Sequence, residues 1–148
     1  MASSGSKPRQ SNDKRQRTEQ RQGQSFQLNP GDVAATDTVV SGMVTICSHL
    51  TRILVDSGST HSFVSHLFVE HLNVRSMPLG CELSVALPLS KPIVMSTIYK
   101  NCEIRLGEKS MNVDLIPLVV NHFDVILGMD WLSLNQATID CERKEVNF

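Results

Sequence analysis

The chain has 148 residues, 41% hydrophobic and 20% charged, with a formal net charge of -1. That length suits one domain plus a tail rather than two domains. No apolar run reaches the roughly 18 residues of a membrane span, and the N-terminus lacks an apolar signal-peptide stretch, so neither membrane insertion nor secretion is expected.

Residues 1–32 hold six Lys/Arg against three Asp/Glu, whereas residues 33–148 hold eight against twelve. The first segment reads as a disordered, basic, Gln-rich linker. Residues 1–25 are rich in Ser, Gln, Lys and Arg, with only Met1 and Ala2 apolar, too little surface to offset the entropy of ordering. Its charge permits weak, nonspecific contact with RNA, although a solvated linker is the simpler reading. The folded domain is expected over 33–148.

Residues 39–46 read as a strand, Cys47-Ser48-His49 as a turn and residues 50–55 as a returning strand. Ile53-Leu54-Val55 is a short continuous apolar run, and Gly58 breaks it. Asp56 is therefore expected at the exit of a buried strand, on a tight loop rich in N–H and O–H donors. A carboxylate there is costly unless it is hydrogen-bonded or shares a proton. Asp-Ser-Gly alone is also a common turn.

Beyond Thr60 the apolar period changes. Phe63, Val64, Leu67, Phe68 and Leu72 fall at helical spacing, which predicts a helix over about 61–71 with its phenylalanines in the core and Ser62 or Thr60 as its cap. Met77-Pro78-Leu79-Gly80 reads as a connector, residues 82–87 as a strand, 88–92 as a turn and 93–98 as the return. Residues 99–106 alternate, with Cys102, Ile104 and Leu106 on one face and Glu103 and Arg105 on the other. Gly107-Glu108-Lys109 is a turn, residues 111–118 return, and the chain breaks over Pro117-Leu118-Val119-Val120. Residues 123–128 form another buried strand ending in Gly128. Residues 129–135 read as a short helix containing the only Trp, and residues 137–140 and 144–148 flank a charged turn at Glu142-Arg143. Asp114, Asp124, Asp130 and Asp140 read as caps, turns or surface charges, Asp130 as the cap of the Trp131 helix.

Two of these stretches carry a resemblance. Leu54-Val55-Asp56-Ser57-Gly58-Ser59-Thr60-His61-Ser62-Phe63-Val64-Ser65 and Phe123-Asp124-Val125-Ile126-Leu127-Gly128-Met129-Asp130-Trp131-Leu132 together resemble the retropepsin-like aspartic proteases, in which Asp-Thr/Ser-Gly is paired with a later hydrophobic-hydrophobic-Gly. The match is nearest to the proteases of gypsy-type LTR retrotransposon polyproteins, especially those of plants, and spans roughly residues 38 to 148. It implies a mainly β fold, a closed, folded β-barrel of the acid-protease type with one or two short helices and one lobe per chain. It also implies that residues near 82–98 form the flap, although the two prolines at its tip depart from the glycine-rich flaps of many relatives. The tail then looks like the segment connecting the protease to an upstream capsid-type region.

The chemistry fits the motif. Hydrolysing a peptide bond without a metal or a covalent nucleophile needs an activated water and an acid for the leaving group, and two carboxylates sharing one proton supply both. Like charges about 3 Å apart cannot both ionise easily, and aspartic proteases are the reference case for the resulting split titration. This chain has one Asp-Ser-Gly, because Asp124 and Asp130 lack a following Ser/Thr-Gly, and about 115 folded residues are too few for two lobes. The second carboxylate is expected from another copy across a twofold axis. The resemblance makes Asp56 catalytic, with Ser57 bracing the two loops, Gly58 allowing close approach, Ser59 bonded to the outer oxygen of Asp56 and Thr60 facing substrate backbone. It places Ile126, Leu127 and Gly128 beneath the Asp56 loop, with Gly128 admitting a closely passing chain.

No cofactor and no metal are expected. His61, His66 and His71 recur every five residues, which on a helix sets successive side chains about 140° apart. Cys47, Cys81, Cys102 and Cys141 form no Cys-x-x-Cys pair and read as free thiols in a reducing compartment. Ser57 or Ser59 with His61 lacks the Gly-x-Ser-x-Gly of a nucleophile elbow. The expected partners are a second copy and a polypeptide substrate, with no membrane, in the cytoplasm or a retrotransposon particle. The rival readings are a catalytically silent relic or dimerisation module of the same fold, RNA binding through the tail, and kinship with ubiquitin-linked shuttle proteins that carry a similar fold.

Overall fold

The computed structural model describes residues 25–27, 39–86 and 91–148. The rest of the tail and the tip at 87–90, with the turn expected there, lie outside the described residues.

The hairpin expected before Asp56 forms β2 (Val40–Ile46) and β3 (His49–Val55), antiparallel with Val40 opposite Val55. Inward residues alternate along both strands, so Val44, Ile46, Ile53 and Val55 are buried. Cys47 and Ser48 form the two-residue turn with φ of 48° and 68°. Positive φ at both central positions matches the right-handed twist of a hairpin but strains residues that carry a Cβ. Ser48→Gly should relieve that strain and raise the thermal midpoint by about 2–4 °C in a melting experiment.

Residues 63–65 overturn the helix expected over 61–71. Phe63–Ser65 is a strand, β4, and only Val69–His71 turns, as a single 3-10 turn. Helical spacing was mimicked by two unrelated surfaces. Phe63 and Val64 are buried because β4 is flanked on both sides, whereas Leu67, at the same helical spacing, is 88% exposed. Phe63 and Phe68 are buried as expected.

Three further strands make the long hairpins. β5 (Met77–Val85) begins inside the expected connector and bulges between Pro78 and Leu83, where Gly80 takes a φ of 82°. β6 (Ile93–Leu106) is one strand rather than two, bent at Asn101, whose φ is 56° and whose N–H donates to Asp114 Oδ1 at 2.9 Å. β7 (Lys109–Leu118) continues through Pro117 instead of breaking there. Cys102, Ile104 and Leu106 are buried, as the alternation requires.

β8 (Val125–Leu127) lies parallel to β3, and β4 lies between β8 and β7. The sheet order is β2-β3-β8-β4-β7-β6-β5, and a β2–β6 pairing closes the first six strands into a barrel. Helix α1 (Met129–Leu134) follows β8 and seals one end, with Trp131 edge-on to Phe148 at 5.6 Å between ring centroids. A separate sheet joins β1 (Ser25–Gln27), β10 (Glu145–Asn147) and β9 (Thr138–Asp140) in the order β1-β10-β9. β1 falls in the segment expected to be disordered. Its backbone pairs with β10, a long-range partner that local composition does not reveal.

The interior is divided in two. The larger cluster fills the barrel with Ile46, Ile53, Leu72, Ile104, Leu115 and Leu127. The smaller one, Phe63, Met95, Ile98, Ile116 and Leu118, lies under the β5–β6 hairpin and anchors it to the barrel. No helix among the described residues is long and apolar enough to cross a membrane.

Candidate active site

Asp56 stands where β3 leaves the barrel, and its own backbone still belongs to the ladder. The Asp56 N–H donates to the Leu127 carbonyl at 2.9 Å, extending the parallel pairing of β3 with β8 by one residue. The chain then turns sharply. Ser59 N–H donates to the Asp56 carbonyl at 3.2 Å, and Gly58 N–H donates to Asp56 Oδ1 at 2.9 Å. One carboxylate oxygen is thus held by its own loop, an Asx-type bond that a short side chain makes at no reach. Asp56 is half-buried while Ser57 and Gly58 beside it are exposed, so the carboxyl group opens onto the surface.

The Ser59 hydroxyl does not bond the Asp56 carboxylate as expected. Its hydroxyl donates to the His61 carbonyl at 2.7 Å, and its own carbonyl accepts Met129 N–H at 2.7 Å. The tight turn carries Ser59 away from the carboxylate, so it supports the loop through backbone atoms. Thr60 is exposed and its hydroxyl pairs with His61 Nδ1 at 2.8 Å. Ile126, Leu127 and Gly128 all adjoin the loop but face different ways. Leu127 is fully buried in the barrel core, and Ile126 packs with the cluster under the β5–β6 hairpin. A Cβ on Gly128 would collide with the His61 carbonyl oxygen and sit 2.8 Å from the Ser59 carbonyl oxygen. Only glycine lets the two chains pass.

Two site residues escaped the sequence reading, Ser62 and Asp130. Ser62, fully buried, donates its hydroxyl to Asp130 Oδ1 at 2.7 Å and accepts the buried Gly128 N–H at 3.0 Å. Its N–H donates to Asp130 Oδ2 at 3.2 Å. Asp130 is therefore not the cap of α1. Gly128 holds that position, and Asp130, in the first turn, accepts the Trp131 N–H at 2.8 Å while also reaching back to Ser62 beyond the Asp56 loop. Ser62→Ala would strand the Gly128 N–H without an acceptor, and urea unfolding should show a loss of about 1–3 kcal/mol.

Among the described residues no group of three His, Cys, Asp or Glu side chains is placed to hold a metal ion. Asp124 lies at the far end of the β3–β8 pairing from Asp56, where its carboxylate accepts Arg52 N–H at 2.8 Å. Asp140 accepts the Glu142 and Arg143 N–H groups in the turn before β10.

A sequence profile described as retroviral aspartyl protease matches residues 19–148. The chain belongs to that family. Its fold is similar to that of the retroviral protease-like domain of Ddi1 from Leishmania major, with a TM-score of 0.51 and 20% identity, covering 71% of this chain and 83% of that one. A comparison with curated proteins gave no match. A retroviral aspartyl protease domain of this size carries one lobe, and the Asp56-Ser57-Gly58 turn at the mouth of β3 is its one Asp-Ser-Gly.

Proposed function

We propose that this chain is an aspartic-type endopeptidase that works as a homodimer and hydrolyses peptide bonds of a gypsy-type LTR retrotransposon polyprotein. The observation that carries the reading is the setting of Asp56, oriented by the Gly58 N–H at 2.9 Å at the end of a buried strand yet open to the surface. The family membership supports the chemistry, and the Gly128-Met129-Asp130-Trp131-Leu132 run supports the retrotransposon origin.

In this mechanism Asp56 meets Asp56 of a second copy across a twofold axis. The ionised carboxylate takes a proton from the attacking water while the protonated one polarises the scissile carbonyl, then donates to the departing amine. Ser57, exposed beside the carboxyl, braces the two loops across the axis. The β5–β6 hairpin covers the substrate as the flap. No metal or cofactor takes part. The reaction takes place in the cytoplasm or within a retrotransposon particle, where the basic tail touches RNA weakly.

The test is incubation of the pure protein with a mixed peptide library between roughly pH 4 and 7, with and without pepstatin. Cleavage that pepstatin suppresses is the expected result. A dimer that cleaves nothing identifies a silent dimerisation module of the same fold. A strict monomer by solution mass that nevertheless cleaves rules out the shared dyad.

A further inference from the structure

Cys47 and Cys102, far apart in sequence, meet where the β2–β3 hairpin touches β6. The pairing runs Thr45 opposite Arg105 and Ile46 opposite Ile104, and Cys47 N–H continues it by donating to the Glu103 carbonyl at 2.9 Å. That register sets Cys47 opposite Glu103, next to Cys102 along β6, and the turn at Cys47, with a φ of 48°, takes its side chain out of the strand alternation. The Cys47 side chain packs on the barrel core that contains Cys102, close enough to raise the Cys102 titration. Cys102 is fully buried, and its thiol also donates to the Tyr99 carbonyl at 3.6 Å. Cys47 is half-buried at a hairpin tip. A neighbouring pair with one partly exposed and one enclosed cysteine is the arrangement that dithiol oxidation requires.

We propose that Cys47 and Cys102 form a reversible thiol–disulfide site, with Cys47 as the entry thiol and Cys102 as the resolving thiol, oxidised by a small disulfide such as oxidised glutathione. In the first step the Cys47 thiolate attacks one sulfur of the oxidant. A mixed disulfide forms, the oxidant's S–S bond breaks, and one glutathione leaves as thiolate and takes a proton from water. In the second step Cys102 loses its proton to water and attacks the Cys47 sulfur, and the second glutathione leaves. Two protein thiols are oxidised and one oxidant disulfide is reduced to two thiols.

Burial, with the neighbouring Cys47, pushes the Cys102 thiol up to about 12. Little of it is thiolate at neutral pH, so the second step is the slow one and the adduct on Cys47 accumulates first. The closed link ties the tip of the hairpin that ends at Asp56 to the strand that continues from the β5–β6 hairpin.

The experiment treats the full chain, in a Cys81→Ser/Cys141→Ser background that removes the two exposed thiols, with oxidised glutathione and follows intact mass. The expected course is gain of one glutathionyl group, then its loss to leave a chain about 2 Da lighter than the reduced form, reversed by dithiothreitol. Cys102→Ala should stop at the adduct, and Cys47→Ser should give neither product. A peptide map of the unsubstituted chain, which needs no variant to fold, should contain a Cys47–Cys102 crosslink. A permanent adduct, no reaction at all, or a crosslink to another cysteine overturns the proposal.

Discussion

Asp56→Asn should reduce peptide cleavage by roughly a thousandfold or more while leaving dimer content and thermal stability unchanged. Asn has the same shape, and its side-chain oxygen still accepts the Gly58 N–H that now reaches Asp56 Oδ1 at 2.9 Å. The loop therefore keeps its form. What disappears is the acid–base pair, since in a homodimer the substitution removes both carboxylates at once. Cleavage assays paired with sedimentation of the same sample separate this outcome from a folding defect. An Asn variant that still cuts at the parental rate would show that Asp56 is not the acid and base.

Gly128→Ala should be the most damaging single methyl group in the domain. The added Cβ would collide with the His61 carbonyl oxygen and lie close to the Ser59 carbonyl oxygen. Both are backbone atoms, and neither can swing aside as a flexible side chain does. Relief requires moving either the 59–61 segment, which leads directly from Asp56, or β8, which pairs with Asp56 through the Leu127 carbonyl. The expected cost is about 3 kcal/mol or more, at the upper end of overpacking penalties, read as a shift of the urea midpoint. Cleavage should fall even where the variant still folds, because the Asp56 loop is what gives way. Parental stability for Gly128→Ala would mean that the loop and β8 do not approach as described.

Stability on the exposed face offers a contrast. Ser110 and Arg105 both bond the Glu103 carboxylate, at 2.8 and 3.0 Å, and hold its titration below the usual carboxylate range. Glu103 lies at the surface, where such pairs contribute little. Its folded-state pKa is lowered, so whatever it adds is present above the ordinary carboxylate pKa and is lost as pH falls through the folded value. The buried Ser62–Gly128 hydrogen bond matters more because water cannot replace it.

Much of the barrel could be read from local pattern. The β2–β3 hairpin, the alternation of Cys102, Ile104 and Leu106, the short helix after Gly128 and the final pair of strands follow from period and turn residues alone. Phe63–Ser65 could not, because with the residues that follow it shows a helical period. Its identity comes from β7 and β8 on either side, and apolar residues serving two different surfaces happened to fall at helical spacing. Met77 and Pro78 looked like a connector for the same reason, since their partners Ile98 and Thr97 are supplied by β6. Ser25–Gln27 gains a strand only by meeting β10.

At the site the division is equally physical. By itself the order of residues determined that a lone Asp-Ser-Gly follows an apolar strand and that a second apolar strand ends in glycine, because strand propensity and glycine's freedom act over a few residues. Tertiary structure alone decided which donor reaches which oxygen. The Gly58 N–H holds one Asp56 oxygen while the Ser59 hydroxyl goes to the His61 carbonyl, and Asp130 bonds Ser62 as well as the first turn of its own helix. Hydrogen bonds are settled within a few tenths of an ångström, and that precision comes only when distant strands are packed side by side.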